Sequence, residues 1–168
     1  MRKSVFLLIA MVLLLTVKLP VNAKDKGTYI SETARKACIE YGLQYDICPE
    51  LLMAIIETES SGRADANNGG CMGLMQISIK WHADRMARLG VTDIFDERGN
   101  VLVGTDYLSE LKETYGDLAM VLMVYNGDSR AKEFYETGKI SEYALKIMER
   151  SAELERIYDE RKHEDYVY

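Results

Sequence analysis

Glu59 is the residue whose placement points most directly to chemistry. It follows Ile56 by three positions and Ile55 by four, so on a helix it shares their apolar face. Gly62 and a stretch of small polar residues come directly afterwards, so that face ends beside an open loop. A carboxyl in this position is desolvated without being sealed. Desolvation disfavours the charged form and raises the pKa, which lets a general acid carry its proton near neutral pH. Glu57, two residues earlier, is expected nearer the solvent side. From spacing alone the commoner role of an inward-leaning Glu, a structural ion pair, stays open.

Other reactive side chains form weaker sets. Asp65 and Asp128 are candidate second carboxylates by loop position only, and each reads equally as a solvated turn residue. His82 and His163 are far apart and have no ligand spacing to the cysteines, so neither a metal nor a cofactor is expected. A Cys71/His82 peptidase dyad is a minor alternative. The three cysteines Cys38, Cys48 and Cys71 allow one disulfide and one spare thiol if the chain is exported. Cys38 with Cys48 across a turn, Cys71 with either, or a fully reduced trio all remain open.

The elements that must position Glu59 read as helices. Ala34, Ala37, Cys38 and Tyr41 recur at helical spacing after Ser31, a suitable N-cap, and Gly42 is expected to end that helix. Pro49 suits the first position of a second helix through Leu51, Leu52, Ala54, Ile55 and Ile56, stopped by Gly62. Arg63 to Cys71 reads as a loop, and Leu74 to Leu89 as a helix with Trp81 and Met86 turned inward. Asp93 to Gly99 reads as a loop and Val101 to Tyr115 as a helix, its inner face made by Tyr107, Leu108 and Leu111. Gly104 would let a neighbour pack closely one turn earlier on that face. Leu118 to Tyr125 is apolar all round and therefore buried. Ser141 opens a last helix through Ala144, Ile147, Met148 and Leu154. With no strand-like alternation, the reading is a mainly α single domain.

Around Glu59 the order of residues becomes specific. Glu59-Ser60-Ser61-Gly62 is followed by Gly73-Leu74-Met75-Gln76-Ile77, then Asn100, Gly104, Tyr107-Leu108, Leu111 and Tyr115-Gly116-Asp117. Val124-Tyr125-Asn126-Gly127 and Tyr143 complete the series. Over roughly Ile30 to Arg150 this set resembles the soluble lytic transglycosylase family, whose catalytic domain is similar to goose-type lysozyme. The resemblance implies a lysozyme-like helical domain with a groove, acting on peptidoglycan. It makes Glu59 the catalytic acid and Ser60 the serine that supports it. It places Met75 and Gln76 against the sugars, Tyr125 and Asn126 along the cleft, and the Tyr143 hydroxyl on the acid. The plainer readings are a helix-end hydrogen bond for Ser60, core packing for Met75, Tyr125 and Tyr143, backbone satisfaction for Gln76 and a helix cap for Asn126. The chain departs from the family's pattern at Arg63-Ala64, where Asn-Pro is common, and at Asp128, where the pattern has Gly after a small residue. Asn67 and Asn68 stand where some members carry loop serines.

The resemblance further implies a reaction in which one carboxylate serves as acid and then base, cleaving between N-acetylmuramic acid and N-acetylglucosamine with closure of a 1,6-anhydro ring. A lysozyme-type hydrolase on the same fold is the alternative, and a non-catalytic wall-binding or assembly protein is the rival from another class.

Bulk properties bound these readings. A length of 168 residues with 48% hydrophobic and 29% charged residues describes about one globular domain. Arg2 and Lys3, the apolar run Val5 to Leu15 and the small residues at Val21-Asn22-Ala23 read as a signal peptide over 1–23. The run is short for a membrane span of roughly 20 residues, though an uncleaved anchor is the alternative. No cysteine sits near the end of the run, which argues against a lipoprotein. Residues 24–30 read as a linker, 31–158 as the domain and 159–168 as a charged tail. Removing the leader, with three basic residues and no acids, takes the net charge from −6 to −9. So acidic a chain is a poor candidate for nucleic acid or anionic lipid. The expected protein is exported to the envelope or beyond, monomeric, and dependent on local contacts in a groove. Its small size suggests that a partner protein localises it.

Overall fold

The computed structural model describes residues 27–129 and 131–164. Its elements are helices α1 (Glu32–Gln44) and α2 (Pro49–Ser60), strands β1 (Asn67–Asn68), β2 (Cys71–Met72) and β3 (Ile77–Ser78), then helices α3 (Ile79–Leu89), α4 (Glu97–Tyr115), α5 (Leu118–Tyr125), α6 (Ala131–Glu136) and α7 (Glu142–Glu164). The fold is mostly helical, as the sequence predicts. The signal-peptide reading of residues 1–23 falls outside the described residues. Among the described residues no helix is long and apolar enough to cross a membrane.

Helix α2 is the centre of the molecule. Leu51 through Glu57 are buried without interruption, because α1 and α7 both lie against it. Pro49 occupies its first turn, where a missing N–H costs nothing, and Ser61 ends it in the left-handed conformation at φ 55°. Each flanking helix starts on a local cap. The Ser31 hydroxyl accepts the Ala34 N–H at 3.0 Å, and the Asp117 carboxylate accepts that of Met120 at 3.0 Å. Ser141 likewise accepts the Ala144 N–H at 3.2 Å ahead of α7. Helix α5 is buried from Ala119 to Met123, as its all-round apolarity requires.

Several expectations need correction. Gly42 does not end α1 but lies inside it, where a Cβ would meet the Ile47 carbonyl at 2.7 Å. The stretch read as loop and then helix, residues 63–78, holds a small antiparallel sheet of order β1-β2-β3. Asn67 pairs with Met72 and Asn68 with Cys71 around a Gly69-Gly70 turn whose φ angles are both positive, while Cys71 pairs with Ser78 and Met72 with Ile77. Two-residue strands are too short to show alternation, and Gly73 and Gln76, at φ 74° and 51°, exclude a helix through Leu74. Trp81 is 75% exposed, whereas Met86 is buried. Five helical residues turn about 140°, so the two never shared a face. Helix α4 begins at Glu97, ahead of the expected start, on an Asp96 cap that accepts the Gly99 N–H at 2.7 Å. Helix α6 carried no signal, and α7 continues to Glu164. Residues 24–26 of the segment expected to link lie outside the described residues; at its end Ile30 is buried and the Tyr29 hydroxyl donates to the Glu57 carbonyl at 3.3 Å.

Candidate active site

Glu59 lies in the last turn of α2, half-buried, and α7 supplies its partner: the Tyr143 hydroxyl donates to Oε1. Every buried side-chain oxygen and nitrogen among the described residues has a partner. Among the described residues no hydrogen bond is made to Oε2 of Glu59. Burial pushes the Glu59 pKa up, and the Tyr143 hydrogen bond and the Lys146 charge pull it part of the way back. The net direction is upward, as the apolar face of α2 predicts. Tyr143 is held far from ionisation by its own burial and by the adjacent Glu59 charge, so it remains a donor.

Tyr125 links this carboxyl to a groove of about 490 Å³. Its pKa is raised by burial and then by the Glu59 charge, its hydroxyl donates to the Met75 carbonyl at 2.8 Å, and its ring lines the groove. The remaining wall comes from Gln76, from Trp81, His82 and Arg85 on α3, from Tyr107 and Glu110 on α4, and from exposed Asn126. Rings of Tyr125 and Tyr107 stand 5.5 Å apart, and Tyr107 meets His82 at 4.5 Å. The Arg85 Nε–H points to His82 Nδ1 at 3.4 Å, which leaves the proton of a neutral imidazole on Nε2. Burial and the Arg85 charge keep His82 below its usual pKa. Arg85 is anchored in turn by Asp106 and Glu110.

The structure thus places Gln76, Tyr125 and Asn126 on the groove wall and sets the Glu59–Tyr143 pair behind Tyr125. Ser60, read as the serine supporting the acid, and Met75, expected against the sugars, offer no surface to the groove. Ser60 is buried and its hydroxyl donates to the Ile56 carbonyl at 3.1 Å, the plainer of its two readings. Met75 is fully buried, with its side chain against Gly104, so the close packing foreseen at that glycine is made by Met75 itself. Its contribution to the cleft is its backbone carbonyl under Tyr125. Gln76 is half-buried in a left-handed conformation at φ 51°. Its amide holds the turn by donating to the Gly73 carbonyl at 2.9 Å and accepting from Asn68 at 3.2 Å. A non-glycine residue in that region costs about 1–3 kcal/mol, which these bonds offset.

Asn100 is the residue whose role the sequence did not disclose. It is 1% exposed; its Oδ1 accepts the Met75 N–H at 2.8 Å, and its Nδ2 donates to the carbonyls of Met72 at 3.0 Å and Ile94 at 2.8 Å. That amide closes the β2–β3 turn that carries Gln76. Glu57 is a second correction: it is 7% exposed rather than solvent-facing, because Arg150 of α7 covers and pairs with it at 2.7 Å. Asp65 is exposed on its loop and Asp128 is half-buried. The three cysteines are free thiols. Burial pushes Cys38 up to about 12 and Cys48 up to about 11, which leaves neither ready as a nucleophile near neutral pH. Among the described residues no three His, Cys, Asp or Glu side chains gather as a metal site.

Comparison with known proteins agrees with this arrangement. A protein of Enterobacteria phage PRD1 named "Transglycosylase" is 33% identical over 106 residues, which cover 62% of this chain and 38% of the phage protein. The chain therefore spans well under half of that relative's length. The transglycosylase SLT domain matches residues 36–144, a stretch that takes in both Glu59 and Tyr143. On the extent of that match, the chain belongs to the transglycosylase SLT domain family.

Proposed function

We propose that this chain is an exported peptidoglycan lytic transglycosylase. It cleaves the β-1,4 bond between N-acetylmuramic acid and N-acetylglucosamine and closes a 1,6-anhydro ring on the muramic acid. The observation that carries this reading is the Glu59–Tyr143 pair, joined to the groove through Tyr125. Tyr143 occupies one carboxyl oxygen and leaves Oε2 to bear the proton, while burial favours the protonated form. Glu59 gives that proton to the glycosidic oxygen, and the bond to the anomeric carbon breaks. The substrate's own acetamido group meets the positive charge that develops there. The Glu59 carboxylate then takes the proton of the C6 hydroxyl as that oxygen attacks the anomeric carbon. The acid is regenerated and no water is consumed. Tyr143 stabilises the carboxylate between the two steps.

The groove supports a sugar polymer. Trp81, Tyr107 and Tyr125 give it an aromatic lining suited to sugar rings, and His82 and Asn126 add polar groups. The phage relative's name agrees with transfer rather than hydrolysis. Export rests on Arg2, Lys3, the apolar run Val5 to Leu15 and the small residues at Val21-Asn22-Ala23, and it puts the enzyme where its substrate lies.

The test is mass spectrometry of products from purified peptidoglycan, with the Glu59→Gln variant in parallel. Products ending in 1,6-anhydro-N-acetylmuramic acid, made only by the unmodified protein, are expected. Reducing-end products would assign hydrolysis and turn attention to Asp65 and Asp128. Turnover by Glu59→Gln would remove Glu59 as the acid.

A further inference from the structure

One strongly buried charge near the site has no part in that chemistry. Glu57 precedes Glu59 by two residues, and a carboxylate this deep normally needs a reason. Arg150 grips it twice, from Nε at 2.7 Å and from a terminal nitrogen at 3.3 Å, and holds Glu153 with the other terminal nitrogen at 2.6 Å. Residues 57 and 59 lie about 200° apart around α2, while Tyr143 and Arg150 lie two turns apart on one face of α7. Helix α7 therefore engages α2 at two points on different sides: Tyr143 on Glu59, and Arg150 on Glu57.

The apolar contacts of α7 do not specify that geometry by themselves. Ala144, Ile147, Leu154 and Ile157 form a buried ridge at helical spacing, whose apolar contacts set the crossing of the helices but are non-directional and do not by themselves fix the polar partners at each end. A slip of one turn is about 5.4 Å, enough to take the Tyr143 hydroxyl off Glu59. The ion pair of buried Glu57 with half-buried Arg150 is directional, and its two hydrogen bonds form in one register only. Its net contribution to stability is close to that of apolar residues of the same size, and its recognised use is to specify an arrangement.

We propose that Glu57 and Arg150 are positioning residues for the reaction, setting the rotation and register of α7 on α2 so that Tyr143 stays on the Glu59 carboxyl. The proposal rests on Glu59 as the acid. The groups that act on Glu59 are Tyr143 and Lys146, both from α7, while Tyr125 of α5 lies near enough to feel the Glu59 charge. Both α7 groups hold its pKa down, and both move away if α7 loses its register.

The test is a ¹³C NMR titration of the Glu59 carboxyl in the full chain, assigned by its absence in Glu59→Gln, together with kcat and KM. The informative protein is the double variant Glu57→Met/Arg150→Met, which removes one charge of each sign and strands neither. Its direct electrostatic effect on Glu59 is therefore small. The expected result is a folded protein in which the Glu59 titration moves upward, kcat falls about tenfold or more, and KM holds. Adding Tyr143→Phe to that variant should give no further shift. Glu57→Gln is the second variant and separates the causes by sign. Loss of a nearby negative charge would move Glu59 downward, whereas loss of α7 register moves it upward. An unmoved or downward titration in either variant, or full additivity with Tyr143→Phe, overturns the proposal. Turnover by Glu59→Gln would instead overturn the acid assignment, and the titrations would still report on the register of α7.

Discussion

Asn100→Ala is the substitution whose effect follows most directly from the geometry. The side chain makes three hydrogen bonds while 1% exposed, so alanine strands the Met75 N–H and the carbonyls of Met72 and Ile94. A buried group left without a partner costs about 1–3 kcal/mol. Some of this is recovered because the amide itself is no longer desolvated and water can enter the space it leaves. A net loss of about 3 kcal/mol is expected, a large share of the roughly 5–15 kcal/mol that holds a domain together. Urea unfolding measures it directly, as a lower midpoint with an unchanged slope. Activity should fall as well at temperatures where the variant is folded. The β2–β3 turn carries Gln76, and the Met75 carbonyl holds the Tyr125 hydroxyl. Asn100→Asp keeps the acceptor for Met75 but faces two carbonyls with a charge, so at neutral pH it should be no better than alanine and should recover in part on acidification. A loss below about 1 kcal/mol for Asn100→Ala, or an Asp variant as stable as the unmodified protein at neutral pH, would refute this account of the turn.

The other predictions concern the same region. In Gly104→Ala the new methyl falls against Met75, with Cε at 2.7 Å and Cβ at 3.1 Å, and overpacking should lower stability by about 1–3 kcal/mol in thermal or urea unfolding. Lys146→Met removes a charge that holds the Glu59 pKa down, so the acid stays protonated to higher pH and the alkaline limb of kcat should move upward. Added salt should shrink the difference from the unmodified protein. Burial makes the ionised form of Glu59 a liability to folding, a penalty that is absent below its unfolded pKa of about 4.3 and complete above its folded value. Glu59→Gln should therefore unfold later than the unmodified protein at pH 7 and no later at pH 3. Trp81→Ala, at a position 75% exposed, should leave stability within about 0.5 kcal/mol while raising KM on peptidoglycan; an unchanged KM would take Trp81 out of the groove's work.

The parts of this protein legible in its sequence are those governed by neighbours along the chain. Ser31, Pro49 and Ser141 mark helix starts because a cap or a first-turn proline acts within three residues. Glu59 could be placed beside Ile55 and Ile56 because residues three and four apart share a helix face. The ordered residues from Glu59 to Tyr143 carried the family. Burial could not be read in the same way, since periodicity tells which residues share a face but not which face another element covers. Glu57 was expected toward solvent and is buried because Arg150, 93 residues away, lies over it. Met75 was expected in the cleft and is enclosed because Gly104 of α4 leaves room for its side chain. Trp81 was expected inside and stands out on the groove wall.

The local sequence by itself determined that an acid sits at the end of a buried helix, next to a turn. Only the tertiary structure supplies the means by which Tyr143, named from the family resemblance, meets it: α7 brings the hydroxyl onto Oε1 across 84 residues of chain. The physical reason is that an apolar helix face states how much surface must be covered, whereas the partner that covers it, and the register it adopts, are settled by the packing of the whole domain.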